Sequence, residues 1–101
     1  MKEDLLKIIN NYGIMKQLKY FQSEVFELNE AIICCENDEC NYYDEVFKNN
    51  KRHITEEIAD CYVMLEQFRH YYGINEEDIK KVMREKIDRQ LLRIKKEEKN
   101  E

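Results

Sequence analysis

The chain has no proline and only two glycines in 101 residues, and the glycines stand at Gly13 and Gly73. Proline breaks a helix interior, and glycine supplies the left-handed position at which helices commonly end. A chain so short of both, and rich in Glu, Lys, Leu and Ile, has the material for long helices and little for the turns of a β-sandwich. The expected fold is all-α: an antiparallel four-helix bundle, completed by homo-oligomerisation. Its length is that of one domain, residues 1–101.

The hydrophobic spacing divides the chain. A first helix is expected from about Lys2 to Tyr12, stopped by Gly13. The second runs from Ile14 to about Glu36, with Leu18, Phe21, Val25, Leu28 and Ile32 forming one stripe at intervals of three and four. Asn37 to His53 breaks that period and reads as a loop, with a short helical turn over Tyr42 to Lys48. The third helix is expected from Ile54 or Thr55 to Tyr72, before Gly73, on a stripe of Ile54, Ile58, Cys61, Leu65, Phe68 and Tyr72. Asn75 caps the fourth, and Glu76, Glu77 and Asp78 sit in its first turn, where negative charge suits the helix dipole. That helix carries Ile79, Val82, Met83, Ile87 and Ile94, then frays into a charged tail over about residues 95–101. Tyr62, Val63, Met64 and Tyr71 widen the apolar arc of the third helix beyond its stripe. This excess points to a homodimer or homotetramer.

Composition excludes several classes. A formal net charge of −5 argues against nucleic acid as a partner, since a basic face supplies most of that affinity. No apolar run approaches the roughly 20 residues of a membrane span, and the N-terminus MKEDLLKIINNYG lacks a signal-peptide pattern. The expectation is a cytoplasmic protein away from membranes. Cys34, Cys35, Cys40 and Cys61 then read as free thiols, and the spacing of the first three with His53 fits no common zinc finger or ribbon.

Two acidic pairs carry the chemistry: Glu24-x-x-Glu27 in SEVFELNEAI and Glu57-x-x-Asp60 in TEEIADCYVMLEQF. Residues three apart share a helix face, so each pair aims two carboxylates the same way. On a helical wheel Glu24 falls between Leu28 and Ala31, and Glu57 between Met64 and Phe68, inside the apolar arc. In both helices the second acid lies one step further out. A partly buried carboxylate must be paired, protonated or metal-bound. Lys86 and Arg89, on the basic edge of the fourth helix, are candidate partners, but four acids against two bases leave negative charge in excess. Oxygen-only ligands select a hard cation, Mg²⁺, with Mn²⁺ as a substitute.

The segments NYGIMKQLKYFQSEVFELNEAI, ITEEIADCYVMLEQF and EKIDRQLLRI, in this order, resemble the MazG-like all-α nucleoside triphosphate pyrophosphohydrolase family, over about Tyr12 to Ile94. The resemblance implies Mg²⁺ held by Glu24, Glu27, Glu57 and Asp60 as the catalytic acids. It places Lys86 and Arg89 near the phosphates, and implies hydrolysis of a nucleoside triphosphate between the α and β phosphates to a monophosphate and pyrophosphate. Relatives assemble through these helices. In this chain Ser23-Glu24 stands where many relatives have two adjacent glutamates, and the segment between Glu27 and Glu57 is at the long end for the family. Base contacts are expected from Tyr20, Tyr42, Tyr43 or Phe47, and the water-activating carboxylate from the second helix. The competing reading is a non-catalytic helical interaction module, whose stability would not respond to Mg²⁺.

Overall fold

A computed structural model describes residues 1–37 and 44–100, and it is all-helical over them. The helices are α1 (Lys2–Tyr12), α2 (Ile14–Asn37), α3 (Asp44–Tyr71) and α4 (Glu76–Lys99). Among the described residues, no helix is long and apolar enough to cross a membrane. The chain divides into two compact units, Met1–Tyr71 and Tyr72–Glu101.

In the first unit α1, α2 and α3 pack on one another. Gly13, at φ 90°, joins α1 to α2 and belongs to both: its N–H donates to the Ile9 carbonyl, and its own carbonyl accepts from Gln17 N–H. A non-glycine residue rarely adopts that φ. The side chains show that α2 and α3 run antiparallel. Gln17 near the start of α2 meets Gln67 near the end of α3, Phe21 meets Phe68 edge-on at 5.6 Å, and Glu24 meets Asp60.

The third helix begins earlier than its stripe suggests. Residues 44–53, expected as loop apart from a short helical turn over Tyr42 to Lys48, are its first turns, while 38–43, including Cys40, Tyr42 and Tyr43, lie outside the described residues. The apolar period in fact continues, with half-buried positions at Val46, Asn50 and Ile54, and a polar residue at the middle one disguises it. No glycine or proline interrupts the run, and Thr55 Oγ1 donates to the Lys51 carbonyl one turn back at 2.7 Å.

The buried line is also turned one position from the expected stripes. On α2 the inward positions are Gln17, Phe21, Glu24, Leu28, Ala31 and Cys35, while Leu18, Val25 and Ile32 are each more than a third exposed. On α3 they are Ile54, Glu57, Cys61, Met64, Gln67 and Phe68, and Ile58 and Leu65 face outward. Both helices thus turn a line containing carboxylates and amides inward and leave an aliphatic row outside.

The second unit is α4, described by itself. Asn75 caps it, with Oδ1 accepting from Glu77 N–H at 3.0 Å. Gly73, at φ 65°, stands in the link before it. The helix continues through the expected tail as far as Lys99, and none of its residues is buried.

Candidate metal centre

Glu24 sits on α2, two turns beyond Gln17, and Glu57 and Asp60 lie three apart on α3. Antiparallel packing brings one carboxylate oxygen from each within 4.8 Å of the other two. Glu24 is buried at 4 % exposure, Glu57 is half-buried, and Asp60 is exposed and closes the open side. Glu27, the fourth expected acid, is exposed on α2 and is not one of this trio, although its charge is felt at Glu24. Lys86 and Arg89 are exposed on α4, in the second unit.

Burial raises the Glu24 carboxyl above its ordinary range. The neighbouring charges of Asp60 and Glu27 push it the same way, as does a hydrogen bond with Asp60, while the hydroxyl of Tyr20, donating from one turn earlier, works against the rise. The same hydrogen bond raises the Tyr20 phenol. The buried Cys61 thiol beside the trio is raised by desolvation first, then by the charges of Glu24, Asp60 and Glu57. Such a thiol stays protonated and inert.

Two buried oxygens, Glu24 Oε2 and Glu57 Oε2, have no hydrogen-bond partner among the described residues. Buried polar atoms are paired in the great majority of cases, and leaving a carboxylate unpaired is costlier than leaving an amide. Among the described residues of the three-helix unit no Lys or Arg forms an ion pair with the trio; His53 Nε2 stands 3.4 Å from the other Glu57 oxygen. Three acidic oxygens with two unsatisfied lone-pair sets fit a hard divalent cation on oxygen ligands. This is the donor set that Mg²⁺ or Mn²⁺ would take.

Two of the trio, Glu24 and Asp60, stand on an open cleft of about 700 Å³, within the size range of small-molecule sites. Glu24 and Asp60 line it together with Ile8 and Tyr12 of α1, Lys16, Gln17, Lys19, Tyr20 and Ser23 of α2, and Val63, Met64 and Gln67 of α3. Lys16 Nζ lies 5.2 Å from the centre of the Tyr12 ring, a cation–π contact that holds the ammonium near the cleft. The cleft therefore joins an acidic end to a basic, aromatic one.

Sequence reasoning named Tyr20 and missed Lys16, Gln17, Lys19, Tyr12 and Gln67. Lys16 and Lys19 did carry a signal: with Tyr20 and Ser23 they continue the Glu24–Glu27 face one and two turns toward the N-terminus. Phe47, another aromatic named for stacking, is half-exposed on α3 and does not line the cleft. Comparison with known protein families, curated proteins and solved structures finds no match to this chain.

Proposed function

We propose that this chain is a Mg²⁺-dependent nucleoside triphosphate pyrophosphohydrolase, cutting between the α and β phosphates to release a monophosphate and pyrophosphate. The observation that carries the proposal is the trio of Glu24, Glu57 and Asp60, with two buried unpartnered oxygens, beside a cleft that also presents Lys16 and Lys19. A site that pairs carboxylates with ammonium groups suits a polyanion carried with a divalent cation. The choice of the α–β bond rests on the resemblance of the acidic signatures to the MazG-like family.

A bound divalent cation would neutralise phosphate charge and stabilise the charge that develops on the bridging oxygen. The protein's part is positioning. Glu24 and Glu57 are fixed on facing helices by packing, so their oxygens need no reorganisation. Lys19, five residues before Glu24 on α2, attracts and orients the phosphate chain, while Lys16 over the Tyr12 ring adds positive charge at the far end of the cleft. Tyr20 holds one Glu24 oxygen through its hydroxyl, which leaves the other for the cation. Glu27, exposed near Glu24, is the carboxylate free to orient or deprotonate the attacking water. Lys86 and Arg89 enter this reading only through the family resemblance.

The proposal includes self-association as a homodimer or homotetramer. Leu18, Val25 and Ile32 on α2, and the whole apolar row of α4, are exposed. That same observation favours a second reading, a non-catalytic module that assembles through these rows.

A screen of the common ribo- and deoxyribonucleoside triphosphates with Mg²⁺, resolving all phosphate products, separates the two. Monophosphate plus pyrophosphate from at least one triphosphate is the expected result. Diphosphate plus orthophosphate would contradict α–β cleavage, and no turnover with no metal-induced stabilisation would favour the module.

A further inference from the structure

The floor of the cleft is built from two buried amides. Gln17 is 6 % exposed and Gln67 2 %, and Gln17 Nε2 donates to Gln67 Oε1 at 2.8 Å. Apolar residues would fill these positions at lower cost, so a polar pair at the centre of a small helical unit calls for a use.

The direction of an amide is normally ambiguous, because its oxygen and nitrogen look alike. Met64 removes the ambiguity. Its sulfur, a weak acceptor, lies 3.7 Å from Gln67 Nε2 and 4.0 Å from Gln17 Nε2. Turning either amide over would set a carbonyl oxygen against the sulfur lone pairs. Both NH₂ groups therefore point at the sulfur side, and the hydrogens of Gln17 are committed to Gln67 and Met64.

One polar atom is left over. Gln17 Oε1 accepts no hydrogen bond among the described residues, yet it is not one of the fully enclosed orphan atoms, and its side chain lines the cleft. Glu24 follows it by seven residues on the same face of α2, roughly 10 Å along the axis at 1.5 Å per residue. That separation is comparable with the reach of a nucleoside from its base edge to its 5′-phosphate.

We propose that Gln17 is the base-reading residue of this cleft: its Oε1, held by the Gln67 amide, accepts a hydrogen bond from the exocyclic amine of an adenine or cytosine nucleotide. This inference rests on the nucleotide reading above. An exocyclic amine projects from the ring and needs one acceptor, which Gln17 supplies. The ring N–H of uracil or thymine is flanked by two carbonyl oxygens, and that of hypoxanthine by one, and these oxygens need donors. The amide hydrogens of Gln17 are already spent on Gln67 and Met64. Of the other donors lining the cleft, the Tyr20 hydroxyl is held by Glu24, Lys16 lies over the Tyr12 ring, and Lys19 and Ser23 stand toward Glu24 on α2. A site built around a hydrogen bond discriminates against the partner that lacks it, because its own polar atom is left unpaired.

The test compares matched amino and oxo ligands on the intact chain with Mg²⁺: CTP against UTP and ATP against ITP for turnover, and the corresponding monophosphates for binding by calorimetry. In the wild type the amino member of at least one pair is expected to be favoured by roughly tenfold, the scale of one well-made hydrogen bond. In Gln17→Leu that ratio should collapse to within about twofold through KM and Kd of the amino member, with the oxo member of each pair as the internal reference. Gln17→Met, an unbranched side chain of similar length, serves as the second variant should Leu perturb the fold, and circular dichroism monitors both. Equal affinity for amino and oxo members in the wild type, a ratio that survives in a folded Gln17 variant, or no nucleotide binding at all would each overturn the inference. An amino preference in binding without any turnover would uphold the base-reading role while overturning the hydrolase reading.

Discussion

On α2 and α3 the inward positions include Gln17, Glu24, Glu57 and Gln67, whereas α4, with aliphatic residues at the same helical spacing, encloses none of its residues. Burying amides and carboxylates spends stability, and a 101-residue chain has little to spare. Polar residues kept inside under that pressure are where the proposed function places the chemistry. An apolar row left outside marks where another surface belongs, and Ile87, Leu91 and Ile94 on α4 form such a row. Amphipathic spacing is common to both regions. Only what is enclosed separates a site from a contact face.

The largest expected effect tests the enclosed acids. Glu57→Gln and Glu24→Gln should each lower hydrolysis by more than the roughly 10–100-fold seen when an outer partner of a metal site is lost. The metal-free variants should be at least as stable as the wild type in thermal melts, since crowded carboxylates repel one another. A variant that kept its activity but lost stability would make the acid a structural partner and dissolve the contrast with α4.

Glu27→Gln sharpens it from the exposed side. Because Glu27 stands outside the trio, its loss should fall near the lower end of that range, about tenfold, read in kcat with metal-induced stabilisation kept. Equal losses at Glu27 and Glu57 would show that the fourth acid is recruited when the cation binds.

On α4, Ile87→Glu together with Leu91→Glu places charge on the outer row. Light scattering at micromolar concentration should then report the mass of a single chain where the wild type gives a multiple. A wild type that is already a single chain would break the assignment of α4 to assembly.

The trio also predicts a response to metal. At ten times Kd, Mg²⁺ should stabilise the fold by about 1.4 kcal/mol, several degrees in Tm, and the shift should vanish in Glu57→Gln.

The smallest effect is on pH. Glu24 has a folded pKa above its ordinary value of 4.5, raised by burial and by the charges of Asp60 and Glu27. Such a group binds its proton more tightly when folded, so its charged form costs stability above the raised pKa and the cost disappears as pH falls through it. Metal-free protein should therefore melt at a higher temperature as pH falls from neutral toward 4.5, less so in Glu24→Gln. Glu66 opposes this only below that window. Its carboxyl is held below the ordinary range by the hydrogen bond from Arg69, so its contribution is lost as pH drops beneath 4.5. A flat profile between neutral pH and 4.5 in both proteins would mean that Glu24 is no more strained than a surface acid.

Much of this was legible in the chain. The two glycines, the Asn75 cap and the starts of α1, α2 and α4 follow from local chemistry, and Glu24, Glu57 and Asp60 follow from their position on a helical wheel. The start of α3 did not, because Asn50 occupies a half-buried position of the repeat and apolar counting skips it. The true inward faces were missed for a related reason. Leu18, Val25 and Leu65 are better hydrophobes than Gln17, Glu24 and Met64, and a stripe drawn by hydrophobicity alone selects them. Only tertiary packing chooses the neighbouring line. Gln67 and Tyr12 had no motif to announce them, since the cleft they share exists only once α1, α2 and α3 are side by side.

Gly13 couples chain length to that cleft. It is the single residue between α1 and α2, and a side chain there would meet only open space, so what it sets is phase rather than packing. Inserting one residue beside it would turn α1 by about 100° against α2. Ile8 and Tyr12 would leave the cleft wall and other side chains of α1 would replace them. The acidic trio, carried wholly by α2 and α3, would stay where it is. A lineage could thus exchange one wall of the cleft by adding or deleting a codon, without touching the acidic trio.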